Sequence, residues 1–366
     1  MKKQLNIIIS GGGTGGHVFP AISIANALKE ANENIEILFV GANGRIEMDK
    51  VPAAGYKIIG LPIYGFQRKK IWKNFKIIFN LLRSLNKARN IIKKFKPDVA
   101  VGVGGYASGP VLRIAGNKGI PTVIQEQNSY AGITNKLLAK KAHKIFVAYD
   151  GMEKYFPKEK IILSGNPVRR GLIDIEDKSE KAFNYFDLDI NKKTVLAIGG
   201  SLGARSINLS LLENYNEFVK NDIQLIWQTG KLYYTNITYK TGKVENGIKI
   251  MDFISEMEHA YAVADVIISR AGAGTISELC IVGKPVVLVP SPNVAEDHQT
   301  KNATALVNEE AVVMVKDSET DEKLVSETIS LFNDEEKMKK LSNNIKKLAI
   351  KDSASIIANE ILKLVG

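Results

Sequence analysis

His17 stands in the stretch GGGTGGHVFPA, residues 11 to 21, where six small residues separate a short apolar run from a helical pattern. A neutral imidazole, with an unperturbed pKa of about 6.5, can accept a proton from a sugar hydroxyl, which makes His17 a candidate general base. The position equally suits a helix-start residue hydrogen-bonded to backbone. Gly11, Gly13 and Gly16 match G-x-G-x-x-G, the turn in which a dinucleotide rests its diphosphate on a helix N-terminus. NAD binding further needs an acid about 20 residues on, at the end of the second strand, to hold the ribose hydroxyls. There the chain reads Gly41-Ala42-Asn43-Gly44, and the acid is missing.

Two further glycine turns lie in the second half. Gly199-Gly200-Ser201-Leu202-Gly203-Ala204 follows one apolar run, and Arg270-Ala271-Gly272-Ala273-Gly274-Thr275 follows another. Two such turns at the strand ends of one domain can flank a nucleotide diphosphate, since each helix start carries about half a positive charge. Simpler readings stand beside this one. Thr275 and Glu278 have the spacing of a capping box, and Ser201 has the chemistry of an N-cap. His143, His259 and His298 form no metal-ligand pattern. Asp187-Leu188-Asp189 has the D-x-D form of some metal-dependent glycosyltransferases, yet it lies in a charged stretch and reads as solvated surface.

The elements that must position these residues alternate between short apolar runs and helical patterns, the mark of βαβ units around parallel sheets. Leu5 to Ile9, Ile35 to Val40, Asp98 to Val103, Pro121 to Ile124 and Lys144 to Val147 are expected as strands of a first domain. A new strand at Thr194, then IQLIWQ, KIMDFI, ADVIIS and KPVVLVP, are expected in a second. The pause at SGNPVRRGL sets the boundary, giving domains 1–163 and 164–366, with the last helix able to return to the first. The fold class is α/β, two tandem Rossmann-like domains facing a cleft, with ligands at the carboxyl ends of the strands.

Composition bounds the function. With 45% hydrophobic and 24% charged residues, 366 residues suffice for two ordinary cores. A single cysteine, Cys280, excludes an internal disulfide and points to a reducing compartment. The apolar start MKKQLNIIIS reads as a first strand rather than a signal peptide, and no apolar run reaches the ~18 residues of a membrane span. Net charge is +11, which raises nucleic acid as a partner, but zinc-finger spacing, RNP-like aromatics and a basic tail are all lacking. The excess is concentrated between Arg68 and Lys96, where no Asp or Glu occurs. At helical period Ile71, Phe75, Ile78, Leu82, Leu85, Ile92 and Phe95 form an apolar stripe there, with Lys73, Lys76, Arg83, Lys87 and Lys94 opposite. Trp72 and Phe79 fall outside that stripe, and Phe66 precedes Arg68, Lys69 and Lys70. Residues 66 to 76 are therefore expected to meet an anionic membrane surface.

The motifs GGGTGGHVFPA, VGVGGYASGP, QEQNSYAGITNK, SGNPVRR, GGSLGARSIN, DFISEM, ISRAGAGTISEL and EDHQTKNA occur together in an order that resembles the MurG family, bacterial N-acetylglucosaminyltransferases of glycosyltransferase family 28. The resemblance extends to about residue 307. It implies a GT-B fold and inverting transfer of N-acetylglucosamine from UDP-GlcNAc to undecaprenyl-diphospho-muramoyl-pentapeptide, the lipid I to lipid II step of peptidoglycan synthesis. It implies a peripheral enzyme on the cytoplasmic face of the bacterial membrane. By motif, Thr14, Gly15 and Gly16 would lie near diphosphate and sugar, and Asn128 would contact the donor sugar. Arg169 and Ser201 would bind the diphosphate. Ala273, Gly274 and Thr275 would flank the nucleotide, Ile254 would meet uracil through its backbone, Glu278 would hold the ribose hydroxyls and Gln299 the sugar. The chain departs from the family pattern at Gln125, Leu202 and Thr300, where many relatives carry histidine, glutamine and glutamine. Negative charge building on UDP suits glycine turns, helix starts and Arg169, so neither metal nor cofactor is required. Alternatives in the same architecture are a glycolipid glycosyltransferase or a UDP-GlcNAc epimerase. An NAD-dependent oxidoreductase and a nucleic-acid-binding protein belong to other classes.

Overall fold

The computed structural model describes residues 4–63, 74–168, 170–173, 175–200, 202–294 and 297–365, without the side chains of 74–78 and 170. Two compact units are present. One comprises the chain up to Val168 together with the segment from Ile350 on, and the other runs from there to Ala349.

In the first unit the strands are β1 (Leu5–Ser10), β2 (Ile35–Ala42), β3 (Lys57–Leu61), β4 (Val99–Gly102), β5 (Thr122–Glu126), β6 (Lys144–Val147) and β7 (Ile161–Leu163). They form one parallel sheet in the order β3-β2-β1-β4-β5-β6-β7, with Ile7 of β1 paired to Ile37 on one side and Val99 on the other. The central strands are buried on both faces, because helices cover a parallel sheet on either side, and so they read as unbroken apolar runs. The helix Ser353–Leu362 packs on the helix Gly15–Ala31, placing Ile357, Ala358 and Ile361 in the same core cluster as Ile24 and Leu28. An ion pair between Lys144 and Glu360 ties this last helix to β6.

The second unit has β8 (Lys193–Ile198), β9 (Ile223–Gln228), β10 (Ile248–Met251), β11 (Val266–Ser269), β12 (Val286–Leu288) and β13 (Val313–Met314). Its parallel order is β10-β9-β8-β11-β12-β13. Trp227 on β9 is fully buried and donates its indole N–H to Asn208 Oδ1 at 2.9 Å. In each sheet the strand order reverses at one point, between β1 and β4 in the first and between β8 and β11 in the second. The crevice beyond the carboxyl ends of such a pair is where open α/β sheets bind ligands.

Three strands were not foreseen from sequence: β3, β7 and β13. Each is a sheet edge and none is fully buried.

The basic helix Asn74–Phe95 corrects the expected stripe. Leu82 is 60% exposed, and the buried face is Ser84, Ala88, Ile91 and Ile92, with Leu85 and Phe95 half-buried. The helix packs mainly on the helix Ser108–Asn117, and the face that carries the small residues Ser84 and Ala88 is the buried one, which turns Leu82 outward. Lys87 is exposed, as expected of the solvated side, and donates to the Gly60 carbonyl at 2.7 Å. Phe79 is also 60% exposed and stacks under the Arg83 guanidinium at 5.6 Å. Phe66, Arg68, Lys69, Lys70, Ile71, Trp72 and Lys73 lie outside the described residues, as do the side chains of Phe75, Lys76 and Ile78. Among the described residues, no helix is long and apolar enough to cross a membrane.

Candidate functional site

At the switch point of the first sheet, β1 ends at Ser10 and the chain turns into the helix Gly15–Ala31, with Thr14 at the cap position. Thr14, Gly15, Gly16 and His17 therefore share one turn. The His17 N–H donates to the Thr14 carbonyl at 3.1 Å, as the plainer reading requires. Its ring goes further, with Nδ1 3.2 Å from the exposed Thr14 Oγ1. Beneath the turn sits Glu47, 1% exposed, whose carboxylate accepts the Gly13 N–H at 2.8 Å and the Ala42 N–H at 2.9 Å.

Asn128 follows β5 on the same carboxyl edge of the sheet. Its backbone N–H and its Nδ2 lie 3.2 and 3.3 Å from Glu126 Oε1, while Glu126 Oε2 accepts from Gly132 N and Asn135 Nδ2, both at 2.9 Å. A buried carboxylate with four donors sets the shape of the Asn128 loop. Gln125 is fully buried and donates to Asn166 Oδ1 at 2.9 Å, so the residue at that position acts on the loop from beneath.

In the second unit a cavity of about 670 Å³ opens at the switch point of the sheet, between the glycine turn after β8 and the one after β11. Gly272, Thr275 and Gln299 line it. Three helices begin at its wall: Arg205–Asn214, Ala273–Val282 and His298–Asn308. None of their cap residues, Ala204, Gly272 and Asp297, makes a side-chain cap hydrogen bond. Their first N–H groups and dipoles are thus suited to an anion in the cavity.

The capping-box reading of Thr275 and Glu278 does not hold. The helix starts two residues before Thr275, so Thr275 sits inside the first turn and cannot cap it. Ala273 and Gly274 form that first turn. Glu278, half-buried, accepts from the Tyr261 hydroxyl at 3.2 Å. Among the described residues, Glu278 and Ile254 do not border the cavity. Ile254 is fully buried, and its N–H donates to Gln228 Oε1 at 2.9 Å, while Gln228 Nε2 reaches the Gly200 carbonyl at 3.3 Å. A backbone contact from Ile254 to uracil would therefore fall to its carbonyl. Gln299 accepts the Ser291 N–H at 2.9 Å, and Thr300 donates to Asp297 Oδ1 at 2.7 Å. Leu202 is 70% exposed. Arg169 and Ser201 lie outside the described residues; the cap position of the helix after Gly203 belongs to Ala204.

Sequence reasoning did not find the polar set at the cavity wall. Arg270 donates to Asp317 Oδ1 at 2.5 Å, to Ser206 Oγ at 3.0 Å and to the Val289 carbonyl at 3.0 Å, and Ser206 donates to Asp317 Oδ1 at 2.6 Å. The only advance signal was the position of Arg270 at the end of an apolar run. Cys280, on the helix Ala273–Val282, is no nucleophile: burial pushes its thiol up to about 12, so the thiolate is not populated at neutral pH. Asp187, the first residue of the D-x-D stretch, pairs with Lys249 with its side chain 96% exposed, as a solvated surface residue does.

Residues 7–147 match the model of the glycosyltransferase family 28 N-terminal domain, and residues 194–358 match that of the family 28 C-terminal domain. The UDP-N-acetylglucosamine–N-acetylmuramyl-(pentapeptide) pyrophosphoryl-undecaprenol N-acetylglucosamine transferase of Bacteroides thetaiotaomicron is 60% identical, covering 100% of this chain and 99% of its own length. The protein of the same name from Flavobacterium psychrophilum is 53% identical, over 99% of this chain and 98% of its own. Among solved structures, Acinetobacter baumannii MurG superposes with a TM-score of 0.78 at 25% identity, covering 98% of this chain and 99% of the other. A UDP-GlcNAc 2-epimerase from Neisseria meningitidis, at TM-score 0.67 and 17% identity, covers 99% and 100% and shares the fold.

Proposed function

The chain belongs to glycosyltransferase family 28, and from that premise we propose a division of labour in which the second unit binds the sugar nucleotide and the first serves the lipid-linked acceptor. The protein is an N-acetylglucosaminyltransferase. It transfers N-acetylglucosamine from UDP-GlcNAc to the lipid-linked muramoyl-pentapeptide, converting lipid I to lipid II in peptidoglycan synthesis. The observation that carries the donor assignment is the cavity on which three uncapped helix starts converge. Charge that builds on UDP as it leaves meets fixed N–H donors there, and such preorganised groups commonly contribute about 3 kcal/mol each to the transition state. Attack by the acceptor 4-hydroxyl inverts the anomeric carbon, and His17 takes the hydroxyl proton. Incubating the protein with labelled UDP-GlcNAc and a muramoyl-pentapeptide lipid tests the reaction. Labelled lipid and free UDP are expected in equal amounts; UDP release without glycosylated lipid would overturn the reading.

Glu278 is the proposed ribose partner. Glu278→Ala is expected to weaken UDP binding roughly 10- to 150-fold, the equivalent of about 1.5–3 kcal/mol for hydrogen bonds to a charged acceptor. Calorimetry of UDP binding beside a thermal melt decides it. A variant that melts early and binds UDP normally would leave Glu278 a structural role.

We also infer that the enzyme works as a peripheral protein on the cytoplasmic face of the membrane, meeting anionic lipid through residues 66 to 76 and the adjoining end of the basic helix. Phe79 and Leu82, each 60% exposed beside Arg83, support this by adding apolar surface to a cationic segment. In sedimentation with vesicles, binding should require anionic lipid and weaken with salt. It should fall when Trp72 and Lys69 to Lys70 are replaced. Equal binding by that variant would place the membrane surface elsewhere.

A further inference from the structure

Beneath the first glycine turn, Gln125, Gln127 and Asn166 form a closed set of amide contacts. Gln125 Nε2 donates to Asn166 Oδ1 at 2.9 Å, and Asn166 Nδ2 donates to the Gln127 carbonyl at 3.0 Å. Gln127 Nε2 donates to the Val103 carbonyl at 2.9 Å and meets the side-chain oxygen of Gln125. These contacts admit one orientation of the Gln127 amide, with its nitrogen toward Val103 and its Oε1 facing away. The residue is 2% exposed, and among the described residues this oxygen has no hydrogen-bond partner. Buried acceptors are as a rule satisfied, so the exception calls for a donor.

A donor stands nearby, across Gly104. A Cβ at Gly104 would lie 2.8 Å from both Nε2 and Cδ2 of His17 and 3.6 Å from Gln127 Oε1. The Nε2 edge of the imidazole and the amide oxygen thus border one methyl-sized space, which glycine keeps open. The other ring nitrogen, Nδ1, faces the exposed Thr14 hydroxyl.

We propose that Gln127 is a positioning residue whose Oε1 accepts the Nε2–H of His17, holding the ring in that tautomer and presenting Nδ1 as the basic nitrogen. The inference rests on the reading of His17 as general base. As the acceptor 4-hydroxyl attacks, its O–H bond breaks and its proton passes to Nδ1, directly or by way of Thr14 Oγ1, which gives up one proton as it takes another. The oxygen bonds to the anomeric carbon, and the electron pair of the broken carbon–oxygen bond departs with UDP. The imidazolium formed carries N–H on both nitrogens, and the turn offers an oxygen to each, Gln127 Oε1 and Thr14 Oγ1. A base oriented by a third group is the general logic of activated catalytic histidines.

Full-length protein labelled with 15N at its four histidines tests this directly. The His17 signals, identified by their loss in His17→Ala, are expected to show the Nε2–H tautomer. Gln127→Met should lower kcat roughly 10- to 100-fold, the scale for partners that orient a reacting group, with donor KM within about twofold. In a His17→Ala background the same substitution should have no further effect on kcat, since coupled residues are not additive. An Nδ1–H tautomer in the unsubstituted protein overturns the proposal, as does an equal loss from Gln127→Met in both backgrounds. If Gln127→Met does not fold, the tautomer measurement decides alone. Near-normal turnover of His17→Ala would remove the general-base reading and this inference together, whereas slow turnover with additive losses would remove the inference only.

Discussion

His17→Ala is expected to lower turnover by roughly 100- to 10,000-fold, the usual contribution of a positioned general base. The loss should fall on kcat. Binding of UDP should change by less than about twofold, because the proposed nucleotide cavity is built from residues 199 to 321 of the second unit and His17 belongs to the first. Stability should change little as well, since the ring is only half-buried. Steady-state rates with both substrates, beside calorimetry with UDP, check the split. A variant with near-normal turnover would return His17 to the role of a helix-start residue, while a large loss of UDP affinity would move it into the donor site.

Gly203→Ala should be the most damaging single substitution in the proposed nucleotide-binding turn. Gly203 has φ of +80°, and a Cβ there would lie 2.0 Å from the Thr229 carbonyl oxygen and 2.8 Å from the Tyr233 ring. The left-handed backbone costs a non-glycine residue about 1–2 kcal/mol, and the forced displacement of packed neighbours roughly 1–3 kcal/mol more. At about 2–4 °C per kcal/mol for a unit of this size, melting of the second unit should fall by roughly 4–20 °C. UDP affinity should fall with it, because Gly203 lines the cavity. Gly200→Ala is the internal control: φ is +81° there too, but nothing lies within 4 Å of the added carbon, so only the backbone term applies. Equal melting of the two variants would mean that the close approach to Thr229 contributes nothing.

The central strands were legible in the sequence because a parallel sheet covered on both faces demands strongly apolar stretches, and III, LIW and VII at the cores of LNIIIS, IQLIWQ and ADVIIS supply them. The three glycine turns were legible for a related reason: a strand that passes abruptly into a helix needs small residues there, whatever surrounds them. What the sequence left open depends on neighbours remote along the chain. The face of the basic helix was decided by its packing on the helix Ser108–Asn117, and Ser84 and Ala88 are buried where Leu82 is not. The capping-box spacing of Thr275 and Glu278 was void because the helix begins two residues earlier, a phase set by where β11 ends. Glu47 reaches Gly13 across 34 positions and Arg270 reaches Asp317 across 47. The residue types of a buried polar pair carry no mark of pairing; only the fold brings the donor and acceptor within hydrogen-bonding distance. The sequence by itself therefore determined the class of fold and where strands turn into helices through glycine. Tertiary structure alone decided which buried polar groups hold those turns in place, because such bonds are made between segments whose proximity no local pattern encodes.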